Sequence, residues 1–319
     1  MADGPNPIVI FLHVPKTGGL TMRQILARQV PRRASYTPGA FDPWGDRDPD
    51  DDHDRERHRR YLRGEGPAPR SNPGADLNAR HLRRYEGFPA DRRAGVRILM
   101  GHFWYGVHEH LSEPSTYITM LRDPVDRVLS TYHHRFTRHA LGQSLPEYIE
   151  AGRDPGIDNA QTRRLAGGTG SVRWGPCTPD MLDLAQEHLV ERFPVVGLTE
   201  RFDETLLLLR RQFGWDKLSY TRQNVGSGRA RVEDLDAATL ELIRERNRFD
   251  LELHRFAGDR FDARIASHPH LQRDLRVLRA RNAVRGRIAA PVEKVGARLA
   301  LPRRVVRRAS RELTELGRR

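Results

Sequence analysis

The chain has 319 residues, enough for one large domain or two small ones, and at 37% hydrophobic and 30% charged it is polar for a globular protein. Its formal net charge of +13 is carried almost wholly by arginine, which points to an anionic partner: nucleotide, nucleic acid, acidic glycan or lipid headgroup. The single cysteine, Cys177, excludes an internal disulfide, and no Cys/His cluster has zinc-ligand spacing; with neither a signal-peptide pattern nor a run of about 20 apolar residues, a cytoplasmic protein is the expectation.

Ile8 to Val14 is a β-branched apolar run without alternation, which predicts a strand buried on both faces, as in a parallel sheet. The turn "PKTGG" follows. Leu20, Met22, Ile25 and Leu26 then have helical spacing up to Pro31. Residues 38–75 pass from acidic to basic to Pro/Gly/Ser-rich and predict a mobile insertion, either a solvated loop or a lid over a substrate. "VRILMGHF" (96–103) predicts a second buried strand ending at Gly101-His102. Thr116–Leu121 predicts a third, followed by a helix from Pro124 to about Arg138. Residues 193–214 predict a fourth strand, a turn and an amphipathic helix closing at Gly214. Leu235, Ala238, Leu242, Phe249, Leu253 and Phe256 continue at helical spacing. Strands alternating with helices argue for an α/β fold with a mainly parallel sheet, and no internal repeat is visible. Residues 277–319 predict basic amphipathic helices, either a solvated extension or a surface for a membrane or partner.

Two turns carry chemistry. In an open α/β sheet, ligands bind beyond the carboxyl ends of the strands, where a helix N-terminus offers free amides and partial positive charge. In "PKTGGLT", Gly18 and Gly19 allow the backbone to approach an anion, Lys16 supplies a charge, and Thr17 and Thr21 supply hydroxyls. The same residues also suit a plain glycine turn into a helix. The Walker A order is absent, since lysine precedes the glycines, which counts against a magnesium-dependent kinase. In "LRDPVDRVLSTY", Arg122 ends a strand and Asp123 is placed to cap the helix from Pro124. Asp126 and Ser130 share a helix face. Arg122 with Ser130 can hold a second phosphate, or the segment is an N-cap with a surface ion pair.

Together the two segments resemble the paired nucleotide-binding motifs of the sulfotransferases that use 3′-phosphoadenosine 5′-phosphosulfate, in the carbohydrate-modifying branch that includes heparan sulfate 2-O-sulfotransferase. "GHFWYGVHEHL", "DNAQTRRLAG" and "VVGLTERFDETLLLL" extend the likeness, which runs from about residue 8 to 256. The resemblance implies a P-loop-like three-layer fold in a sulfotransferase domain at 1–265; composition predicts a basic helical extension at 266–319. It implies that Lys16, Thr17, Gly18, Gly19 and Thr21 hold the 5′-phosphosulfate and that Arg122 and Ser130 hold the 3′-phosphate. Arg222, in "YTRQNVGSGRAR", would close on the adenosine side. His102 is then the general base, with His108 and His110 as runners-up and His13 as a packing residue. Trp44, Trp104 and Tyr105 either stack on a sugar or adenine or pack.

The chain departs from the branch at Met100, where a second histidine is common, and in the 38–75 insertion and the tail after 265. The reaction implied is sulfuryl transfer to a hydroxyl of a glycan or glycolipid, without a metal and with no nucleic acid partner; the basic tail is either a solvated extension or a peripheral membrane contact. The competing reading is a non-catalytic polyanion-binding protein that keeps a relic phosphate loop.

Overall fold

β1 (Ile8–Leu12) is buried along its whole length, and the rest of the fold is arranged around it. The computed structural model describes residues 7–38, 60–65, 76, 78–139, 142–168, 175–221 and 231–298. After β1 come α1 (Gly19–Leu26), the short β2 (Ser35–Tyr36), α2 (Ala79–Glu86), α3 (Ala90–Ala94) and β3 (Ile98–Gly101). β4 (Ser115–Leu121) leads into α4 (Pro124–His139), α5 (Leu145–Glu150), α6 (Ala160–Ala166) and α7 (Pro179–Glu191). β5 (Val195–Leu198) is followed by α8 (Phe202–Phe213), α9 (Ala237–Arg246), α10 (Arg248–Ala266) and α11 (Leu271–Arg298). Among the described residues no helix is long and apolar enough to cross a membrane.

The five strands lie in the order β2-β3-β1-β4-β5, and every pairing is parallel. This is the expected α/β sheet. The connection from β1 runs toward β2, whereas the connections from β3 to β4 and from β4 to β5 run the other way. Right-handed crossovers then place their helices on opposite faces, giving three layers. The reversal falls between β1 and β4, which pair directly (Leu12 opposite Thr119). The crevice beyond the carboxyl ends of these two strands is therefore the topological switch point, where such sheets bind ligands.

The main core joins both sheet faces to the helices, through residues such as Phe11, Leu99, Ile118, Leu206 and Phe261. Burial of each such side chain contributes about 1.5–3 kcal/mol. A second cluster packs Val125, Val128 and Leu129 of α4 against α5 and Ile243 of α9. Leu62 belongs to it and is fully buried. That part of the predicted insertion is therefore packed into this cluster, because Leu62 supplies an apolar anchor within the charged run. The C-terminal helix α11 also begins inside the core, with Leu275 and Leu278 buried.

Candidate functional site

The turn after β1 is built by backbone conformation. Lys16 (φ 72°) and Gly18 (φ 74°) both take the left-handed region. For glycine this costs nothing steric; for lysine it costs roughly 1–2 kcal/mol. Gly18 caps α1 with its carbonyl, which accepts from Thr21 N at 3.1 Å and Met22 N at 3.3 Å, while no side chain caps the helix. Among the described residues no side-chain oxygen caps the amides of Gly19 and Leu20, the condition under which a helix N-terminus takes an anion. Gly19 is required for a reason the sequence does not reveal. A Cβ there would lie 1.9 Å from His13 Nε2, because the His13 ring packs onto the start of the helix. Thr17 is fully buried and donates its hydroxyl proton to Val14 O at 2.8 Å, closing the turn from inside. Thr21 is also buried, on the core side of α1.

The turn after β4 arrives at the same place. Arg122 Nη1 donates to Lys16 O at 3.3 Å, and its Nη2 lies 3.5 Å from Asp126 Oδ2. The guanidinium thus spans from its own helix to the first turn. Asp123 caps α4 as expected, with Oδ1 accepting from Asp126 N at 2.9 Å. Asp123 N in turn donates to Glu200 Oε1 at 2.6 Å, tying β5 to the rim. Ser130 is half-buried, one helical turn beyond Asp126.

β3 flanks β1 on its other side, with Gly101 opposite Leu12. One residue further, His13 and His102 stand side by side, their rings stacked at 4.3 Å. His102 Nδ1 lies 3.0 Å from His13 O. A carbonyl only accepts, so Nδ1 carries the proton and Nε2 keeps its lone pair. His102 as a residue is half-buried. Desolvation, then the Arg164 charge, lowers its pKa to about 3, so the ring is neutral at pH 7. His13 is buried and held well below the usual histidine value, by desolvation and then by His102.

The remaining expected residues divide. His108 Nδ1 meets the Tyr117 hydroxyl at 2.8 Å, and His110 Nε2 lies 2.9 Å from Asp76. Trp104 is buried under the Arg164 guanidinium, and Tyr105 stacks on His188 at 3.5 Å, so both pack. Arg222 and Trp44 lie outside the described residues. Among the described residues no cluster of three or more His, Cys, Asp or Glu side chains is placed to hold a metal ion. Gln161 and Arg164 were legible only as part of a family-like segment, yet both touch the site. Gln161 hydrogen-bonds the Arg122 peptide, and Arg164 the carbonyls of His102 and Phe103.

The region holding both turns, His102 and the first five residues of α6 matches a family model: residues 4–164 fit that of the sulfotransferase family. The chain belongs to the sulfotransferase family. This sulfotransferase is 24% identical over 303 residues to heparan-sulfate 6-O-sulfotransferase 2 of Gallus gallus, covering 80% of this chain and 67% of that protein. To the protein of the same name from Danio rerio it is 25% identical over 305 residues, covering 80% of this chain and 58% of the relative. The sulfotransferase thus spans between just over half and two thirds of the length of these relatives. A solved sulfotransferase from Alicyclobacillus acidocaldarius aligns with a TM-score of 0.42 at 14% identity, over 79% of this chain and 96% of that one.

Proposed function

We propose that this sulfotransferase moves a sulfuryl group from 3′-phosphoadenosine 5′-phosphosulfate to a hydroxyl of a carbohydrate or glycolipid, with His102 as general base. The observation that carries the reading is the hydrogen bond from Arg122 to the Lys16 carbonyl, which joins the turn after β1 to the turn after β4. Lys16 and the amides at the start of α1 suit the 5′ side, and Arg122 and Ser130 suit the 3′-phosphate. Arg222 joins the latter group on the strength of the resemblance. Thr17 acts by shaping the turn, since its hydroxyl proton is already committed to Val14.

On this reading His102 Nε2 accepts the proton of the acceptor hydroxyl as its oxygen bonds to sulfur. The bond from sulfur to the bridging phosphate oxygen breaks, and adenosine 3′,5′-bisphosphate leaves. Lys16 and the α1 amides take up the charge that builds on the leaving phosphate. A heparan-type acceptor is favoured by the names of the curated relatives. The basic surface of the chain suits an anionic polymer.

The test is transfer of labelled sulfate to a heparan-type polysaccharide, paired with calorimetric titration of adenosine 3′,5′-bisphosphate. His102→Ala is expected to lose transfer by roughly 100- to 10,000-fold while binding the nucleotide normally. Lys16→Ala is expected to weaken the nucleotide as well. Full turnover by His102→Ala removes the base assignment, and no heat with wild-type protein at millimolar nucleotide removes the donor.

A further inference from the structure

Helix α6 touches both halves of the site with one face. Gln161 Oε1 accepts from Arg122 N at 3.0 Å, and its Nε2 donates to Arg122 O at 2.9 Å, so one side-chain amide brackets the backbone of the second turn. Arg122 lies just past the end of β4. Its N–H and C=O therefore need a partner from outside the sheet, and Gln161 supplies both. Three residues on, Arg164 Nη1 donates to His102 O and, at 2.9 Å, to Phe103 O. Its guanidinium also lies 4.6 Å above the Trp104 ring. Residues three apart on a helix share a face, so a single short rod reaches the anion turn with one side chain and the histidine turn with the other.

We propose that Gln161 and Arg164 are positioning residues, and that α6 is a spacer fixing the separation between the anion-binding Arg122 and the base His102. The proposal rests on the roles of Arg122 and His102 given above. The spacer is itself anchored by buried groups. Asp250 of α10, fully buried, accepts from Gln161 N at 3.2 Å, from Thr162 N at 2.8 Å and from the Thr162 hydroxyl at 2.9 Å. Asn159, in the left-handed region at φ 44°, accepts through Oδ1 from Phe249 N at 2.9 Å and Asp250 N at 3.0 Å. These bonds fix both the height and the rotation of α6 against α10, so its two reaching side chains hold their turns at a set distance. Sulfuryl transfer needs the acceptor oxygen, the sulfur and the leaving phosphate oxygen in line, with the base beside the acceptor hydroxyl, and a misplacement of about 1 Å costs on the order of a hundredfold in rate.

The test separates the two arms in full-length protein. Nucleotide affinity is read by calorimetry with adenosine 3′,5′-bisphosphate. Transfer is read as kcat and acceptor KM. The His102 ring is titrated by NMR, assigned by its loss in His102→Asn; the charged and titratable groups facing it are Arg164, His81, Arg23 and His13. Gln161→Leu is expected to weaken the nucleotide about tenfold, the cost of leaving a peptide unbracketed, without moving the His102 titration. Arg164→Met is expected to lower kcat roughly 10- to 100-fold with nucleotide affinity unchanged, and to raise the His102 titration. Arg164→Lys, which keeps the charge and loses the fork, is expected to lower kcat while leaving the titration near wild type.

Equal losses in every readout from both positions, or no loss in either, overturn the spacer, as does failure of both Arg164 variants to fold. A wild-type protein that binds no nucleotide instead defeats the donor reading. In that case the His102 titration in Arg164→Met still decides whether α6 governs the histidine.

Discussion

The paired histidines are the feature least visible at the scale of single residues. His13 reads as a strand residue that packs, and it does pack, against Phe11 at 5.4 Å and onto Gly19. Its carbonyl nevertheless sets the tautomer of His102, and its ring forms one wall of the same position. Both rings are held neutral by burial, and that has a consequence for stability. The unfolded chain binds a proton on each near pH 6.5, whereas folded His102 does so only near pH 3 and folded His13 well below 6.5. The unfolded state therefore holds more protons below pH 6.5, and folding weakens as the pH falls from there. Between pH 6.5 and 5 the loss is at most about 2 kcal/mol per ring. Urea unfolding at pH 7 and pH 5 checks this. His102→Asn is expected to lose less stability over that interval than wild type, and an equal loss contradicts the assignment.

Helices near the site are joined by buried polar groups as well as by apolar side chains. Arg127 of α4 is 1% exposed and donates to Gly156 O at 2.7 Å, with Asp250 Oδ2 at 3.6 Å. The same carboxylate holds the start of α6, so α4, α6 and α10 meet at one acid. Asp250→Ala leaves a buried guanidinium without its charge partner and is expected to cost about 3–5 kcal/mol in urea unfolding at pH 7. A loss under 1 kcal/mol shows that water or Asn247 replaces the carboxylate. Neither Arg127 nor Asp250 stands out in the sequence, since each reads as one more charge on a helix in a chain with 30% charged residues.

Elements with long apolar periodicity, such as α8 and α10, were legible. The helical pattern across 235–256 is interrupted at Asn247, whose side chain bonds Ile157 O at 2.9 Å. The helices α5 and α7 are not evident from apolar periodicity, although α5 carries a capping box from Ser144 to Glu147 and α7 a Thr178 cap before Pro179.

At the scale of the whole molecule, the tail is partly core. Leu275 and Leu278 of α11 are 3% and 4% exposed, Arg279 lies 3.3 Å from Asp203, and Asn282 Oδ1 accepts from Tyr220 N at 2.8 Å. A chain ending at Ser267 uncovers the α8 surface and loses about 1.5–3 kcal/mol for each buried leucine. Its thermal midpoint is expected to fall by several degrees or more. Unchanged melting would show that the sulfotransferase fold is complete without α11. The start of α11 is a basic helix in the sequence, and its two inward leucines are too few to reveal which neighbour they meet.

The two strand–turn–helix units and the histidine at a third strand end are written locally in the chain. They depend on apolar runs, glycines and a proline within a few residues of one another. The packed fold alone brings the three ends together. Lys16 and Arg122 are 106 residues apart, and His13 and His102 are 89 apart. It also explains why Gly19 must be glycine and why Gln161 and Arg164 matter. Each of those facts depends on which strands pair and which helix crosses them, and pairing is a global minimum of burial and hydrogen bonding that no short window of residues encodes.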